Sequence, residues 1–188
     1  MTIGIKNEQI HIIPPFVHDL PATSVQNKDR ILFVGRLTRA KGVHAAVAAW
    51  KKSGLTLPLV FAGTGSERNA LERAGFEVTG WLDRSELAEQ YARAATIVMP
   101  SYWQEPYGIV GLEAASLGIS VVTWKSGGTL EWSEAENTVE WGDIDALAER
   151  LKKAATESPT PQSLVNPSNV MAELLTLYQD VIHEHNEG

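Results

Sequence analysis

The sequence contains no cysteine, which excludes disulfides and thiolate metal centres. It has no apolar run near the roughly 20 residues that span a bilayer. Its opening, MTIGIKNEQIHII, lacks the basic start and long apolar core of a secretory leader. Positive charge is scarce: 16 Lys and Arg stand against 23 Asp and Glu, a net charge of −7. That balance argues against general nucleic-acid binding. No Gly-x-Ser-x-Gly is present for a serine nucleophile. His11, His18, His44, His183 and His185 show no metal-ligand spacing, and the last two would face different sides of a helix. There is no internal repeat and no low-complexity tract. These absences leave a cytoplasmic protein with no nucleic-acid partner and no integral membrane segment as the expectation.

What is present suits one domain, or one domain with a tail, with a sizeable core. The chain has 188 residues, 44% hydrophobic and 21% charged. Short apolar runs alternate with helical patterns. Strands are expected at ILFVG (31–35), LPLVFAG (57–63), FEVTG (76–80), TIVMP (96–100), SVVTW (120–124) and NTVEW (137–141). Helices are expected at 41–54, at 66–75 with Ser66 as N-cap, and at 83–94, 108–118, 143–155 and 168–184. A short helix is expected after the glycine pair at 127–128, and a loop over 156–167. IHIIPPF (10–16) reads as a strand broken by two prolines and followed by a linker. Residues 1–30 are therefore a separate segment, 31–155 the domain, and 156–188 a loop and terminal helix. The alternation predicts an α/β fold, a parallel sheet with helices on both faces. Ligands of such sheets bind beyond the carboxyl ends of the strands.

Four segments at those ends can carry chemistry. In GRLTRAKG (35–42), Gly35 frees the turn, and Arg36 and Lys41 stand beside a helix N-terminus. Two cations and open amides suit a phosphate; the alternative is a solvated basic loop. GTGSER (63–68) begins like a dinucleotide loop, but Arg68 occupies the third glycine position. It reads instead as a glycine loop that lets a ligand approach the backbone. In QEPYGIVGLE (104–113), the amides of Gly108, Ile109 and Val110 open a helix. Glu105 lies in the turn before it, and Glu113 about 7 Å deeper along its axis than Gly108. A diphosphate on those amides would have a carboxylate on either flank. Each acid can accept hydroxyl hydrogen bonds, from a sugar on one side and a ribose on the other. The alternative is ordinary helix-end and solvated carboxylates. Asp143 and Asp145, a D-x-D pair, read as an N-cap and a first-turn acid, with no metal assigned. Trp50 falls on a core stripe, whereas Trp81 and Trp103 lie at strand ends and could line a pocket.

In order, GRLTRAKG, VFAGTGSE, VTGWLDRSEL, PSYWQEPYGIVGLEAASLGISVV and SGGTLE resemble the retaining glycosyltransferases of family 4, or group 1, over residues 31–155. The resemblance implies a Rossmann-like domain, the C-terminal half of a GT-B fold, that binds a UDP-, GDP- or ADP-sugar and requires no other cofactor and no metal. It implies that Arg36 and Lys41 bind the diphosphate and stabilise the departing charge. Glu105 would contact the donor sugar and Glu113 the ribose. The amides at 108–110 would meet sugar and phosphates, and residues near Gly80–Leu82 would lie beside the base. A GT-B enzyme has two such halves, and this chain has room for one. IHIIPPF resembles the closing strand of the other half, and the terminal helix resembles the one that crosses back over it. The implied partner is thus an N-terminal half, in cis or in trans, without which little or no transfer is expected. A non-catalytic nucleotide-sugar-binding module using the same pocket, a sugar-nucleotide epimerase half and a nicotinamide oxidoreductase are the other readings.

Overall fold

The computed structural model describes residues 10–17, 20, 21, 23, 27–157, 159 and 167–186. The chain divides into two compact units, Asp19–Ser163, and Met1–His18 together with Leu164–Gly188.

The larger unit runs β1 (Arg30–Val34), α1 (Val43–Ser53), β2 (Leu59–Ala62), α2 (Arg68–Arg73), β3 (Glu77–Gly80), α3 (Arg84–Arg93), β4 (Ala94–Met99), α4 (Ile109–Ser116), β5 (Ser120–Trp124), β6 (Thr138–Val139) and α5 (Ile144–Ala154). The six strands form one sheet in the order β3-β2-β1-β4-β5-β6. Every pairing is parallel, with Phe33 opposite Phe61 and Val98 opposite Val122. The order reverses at β1, whose two neighbours are β2 and β4. Strands of this kind must hide both faces. Ile31, Phe33, Phe61, Val98 and Trp124 pack with α1 and α5 residues such as Val43, Ala46 and Leu147. The alternate residues Leu32, Val60 and Ile97 are buried on the opposite face. Trp50 is half-buried at the core's edge, its ring edge-on to Phe76 and its indole donating to the Leu57 carbonyl.

Of the two expected caps Asp143 forms and Ser66 does not, and Asp83 supplies a further one. Asp83 and Glu86 form a full capping box at the start of α3, and Asp143 accepts from the Ala146 amide at the start of α5. Ser66 does not cap α2. The Glu67 amide donates to the Leu37 carbonyl at 2.9 Å, which spends the preceding turn on the β1 loop and delays the helix to Arg68. The sixth strand is only Thr138–Val139, paired on one side with β5. Asn137 is drawn instead into a 3₁₀ turn and donates to Glu134. The glycine pair opens a 3₁₀ helix, Gly127–Glu131. Below the sheet, Asp29 accepts from Arg93 at 2.7 Å and from the buried Arg30 at 2.8 Å.

In the smaller unit, residues 10–17 adopt no regular structure, so the expected strand over 10–16 is not formed. Pro14 and Pro15 donate no backbone hydrogen bond there. The helix α6 (Pro167–Asn186) carries Met171, Leu175, Tyr178 and Ile182 exposed at helical spacing. No helix among the described residues is long and apolar enough to cross a membrane.

Candidate functional site

The β1 and β4 loops leave adjacent strands at the point where strand order reverses, the crevice in which open α/β sheets bind ligands. They are stitched together by one atom. The Ala40 carbonyl accepts from the amides of Tyr102 at 2.8 Å and Trp103 at 3.0 Å, and from the Ser101 hydroxyl at 3.4 Å. Gly42, in left-handed conformation, lies so close to β4 that a Cβ there would sit 1.8 Å from the Pro100 oxygen. Lys41 is thereby carried over the end of β4. Its Nζ donates to Glu105 Oε1 at 2.5 Å, with the Lys and Glu side chains 22% and 10% exposed. Glu105 is held from behind as well, because the Gly128 amide donates to its carbonyl at 2.9 Å.

Three residues further on, Gly108 at φ 83° is the N-cap of α4. The amides of Gly108, Ile109 and Val110 donate to no described residue, so they are open first-turn donors as expected. Glu113 lies one turn deeper and is buried. Its Oε2 accepts from the Tyr91 hydroxyl at 2.9 Å. Each acid therefore has one oxygen engaged by the protein, which leaves the other as an acceptor. Nothing in the spacing of the sequence points to Tyr91, which reads as one more core residue of α3.

Arg36 is exposed, and its side chain makes no hydrogen bond or ion pair with a described residue. It stands on the rim of a cleft of about 300 Å³ at the ends of β1, β2 and β3, lined also by Gly35, Gly63, Gly80, Trp81 and Leu82. The structure thus brings Lys41 and Glu105 into contact, places Arg36 and Gly35 in this cleft, and sets Glu113 behind the α4 N-terminus. Trp81 lines the cleft and is 78% exposed; Trp103 is also exposed. The glycines of the 63–65 loop also serve the packing of the protein itself. Cβ atoms at Gly63 and Gly65 would lie 1.9 Å and 2.3 Å from the carbonyl oxygens of Gly35 and Leu37, so this loop packs on the β1 loop. His44 pairs with Glu67 at the surface, and Asp145 pairs with Lys52. No three potential metal ligands converge among the described residues.

The family model described as glycosyl transferases group 1 matches residues 21–169. Glycogen synthase of Mycobacterium tuberculosis is 38% identical over 125 residues, which cover 61% of this chain and 29% of that protein. An uncharacterized glycosyltransferase of Methanocaldococcus jannaschii is 36% identical over 118 residues, covering 57% of this chain and 30% of that protein. The chain therefore spans less than a third of the length of these curated relatives. Among solved structures, the sucrose-phosphate synthase of Thermosynechococcus elongatus superposes with a TM-score of 0.69 at 21% identity, covering 93% of this chain and 53% of that one. Anabaena HepE, solved with UDP and glucose, gives 0.61 at 21% identity, covering 87% and 50%. At such identity the structural likeness speaks for the fold.

Proposed function

The chain belongs to the group 1 glycosyl transferases and has their Rossmann-like sheet, and from this premise we propose that it is the donor-binding half of a retaining hexosyltransferase of GT-B architecture. The donor is a nucleoside-diphosphate sugar. The observation that carries the reading is the Lys41–Glu105 pair at the strand-order reversal, beside the open amides of α4.

The chemistry follows from where charge grows. When the bond from the sugar to the diphosphate breaks, negative charge accumulates on the leaving phosphate, and the sugar becomes cation-like. Arg36, Lys41 and the amides of residues 108–110 supply positive charge and donors for that phosphate. Glu105 accepts from donor-sugar hydroxyls, and Glu113 accepts from the ribose. The base lies in the cleft beside Gly80–Leu82, and Gly35 lets the diphosphate approach the backbone. Acceptor binding belongs to an N-terminal half, supplied in cis or in trans. The exposed apolar stripe of α6 is a surface that such a half would cover. Residues 1–30 and 156–188 then belong functionally to the junction, and 31–155 to the donor.

Calorimetric titration with UDP, GDP, ADP and their sugars tests the proposal. Binding of one nucleoside diphosphate, weakened in Arg36→Ala, supports it. Binding of NAD with no affinity for any of the three overturns it. Sugar transfer by this chain alone would remove the requirement for a second half, and isomerisation of the sugar would mark an epimerase.

A further inference from the structure

Glu113 is a carboxylate with 9% of its surface exposed. Such a group needs hydrogen-bond partners. One side-chain partner is present among the described residues, the Tyr91 hydroxyl at 2.9 Å. Tyr91 is fully buried and comes from α3, 22 positions earlier in the chain. The same hydroxyl reaches the Val110 carbonyl at 3.4 Å, so it touches the turn that bears the open amides as well as the acid below it. Burial first, and then the neighbouring Glu113 charge, pushes the phenol well above its ordinary value of 10.0. It therefore remains a proton donor over the whole working range of pH. A phenol on a packed ring has a fixed direction, and a carboxylate that accepts from it loses most of its freedom to rotate.

We propose that Tyr91 is a positioning residue for nucleotide recognition: by holding Oε2 of Glu113, it leaves Oε1 fixed as the acceptor for the ribose hydroxyls. This rests on the reading of Glu113 as the ribose ligand. Tyr91 itself would touch no substrate. Its contribution is to set the angle of a group that does, and so to separate ribose from sugars that lack vicinal hydroxyls.

The test uses Tyr91→Phe, which removes one oxygen and keeps the ring, with Glu113→Ala and the double variant. Each protein is titrated calorimetrically with UDP, GDP and ADP, and with the 2′,3′-dideoxy form of whichever binds best. The expected result is that Tyr91→Phe weakens the ribonucleotide about tenfold and leaves the dideoxy form within about twofold. In the Glu113→Ala background, adding Tyr91→Phe should change neither. Equal losses for both nucleotides, a loss that persists without Glu113, or no loss at all would each overturn the positioning role. So would a Tyr91→Phe protein too unstable to titrate, which would assign the phenol to the core alone. A wild-type chain that binds ribo and dideoxy forms equally would instead overturn the ribose reading of Glu113, a result already visible before any variant is made.

Discussion

Lys41 Nζ and Glu105 Oε1 meet at 2.5 Å across 64 positions of sequence, and the two residues arrive from opposite sides of the strand-order reversal. Arg36, five residues before Lys41, has no such partner and stays in solvent. Two cations of one loop therefore hold different posts. One is tied to an acid that is itself buried, and the other is free for a ligand.

This difference predicts a split between binding and stability. Arg36→Ala should weaken nucleoside-diphosphate binding by about 1–3 kcal/mol and leave the melting temperature unchanged. Lys41→Ala should weaken binding comparably and also destabilise the fold by about 1–3 kcal/mol, because Glu105 loses its counter-ion in a largely buried site. Calorimetry and thermal melts on the two variants distinguish these outcomes; equal melting temperatures would contradict the assignment.

Glu113→Ala should cost more affinity for a ribonucleoside diphosphate than for its 2′,3′-dideoxy form, by about tenfold in the ratio of dissociation constants. Parallel losses would mean that the acid does not meet the ribose.

Gly42→Ala should destabilise by about 2–4 kcal/mol, combining a left-handed backbone with a collision on the Pro100 carbonyl. Gly54→Ala, also left-handed but with nothing within 4 Å of the added carbon, should cost only about 1 kcal/mol. Urea unfolding midpoints of the two variants make the comparison.

Asp29 carries the acid-side prediction. Hydrogen bonding from Arg93, and then from Arg30, holds its carboxyl below the ordinary value of 3.8. A group depressed in this way stabilises the fold fully above its unfolded value and loses that contribution as pH falls through the folded one. Asp29→Asn should therefore be less stable than wild type at pH 7, and the gap should close below about pH 4. With the Asp29 and Arg93 side chains 33% and 38% exposed, the gap at neutral pH should not exceed about 1 kcal/mol. Unfolding curves between pH 3 and pH 7 measure it; a gap that persists undiminished at pH 3 would refute the assignment.

The sheet was readable because its strands must be apolar on both faces, as LVFA in β2 and AATIVM in β4 are. Asp143 was readable as a cap because a cap is a local bond. Ser66 looks alike in sequence, yet the turn is decided by the Glu67 amide donating to the Leu37 carbonyl, 30 positions earlier in the chain. The same holds for glycines 63 and 65. Their spacing suggests room for a ligand, and it does not show the second constraint, that the carbonyls of Gly35 and Leu37 stand where a Cβ would be. The placement of Arg36, Lys41, Glu105 and the 108–110 amides at the carboxyl edge of the sheet was legible because charge beside a helix start has a local meaning. The partners that orient them were not. Tyr91 gives no signal as a donor to Glu113, since its position on α3 is equally that of an ordinary core aromatic. The expected strand over 10–16 shows the converse, a strong apolar pattern that adopts no regular structure over the described residues 10–17.

The Ala40 carbonyl, bonded to three donors of the facing loop, limits how this edge can diversify. Lengthening either loop by one residue would pull that oxygen out of register and part Lys41 from Glu105. Changes at this edge must then come by exchanging side chains along loops of constant length.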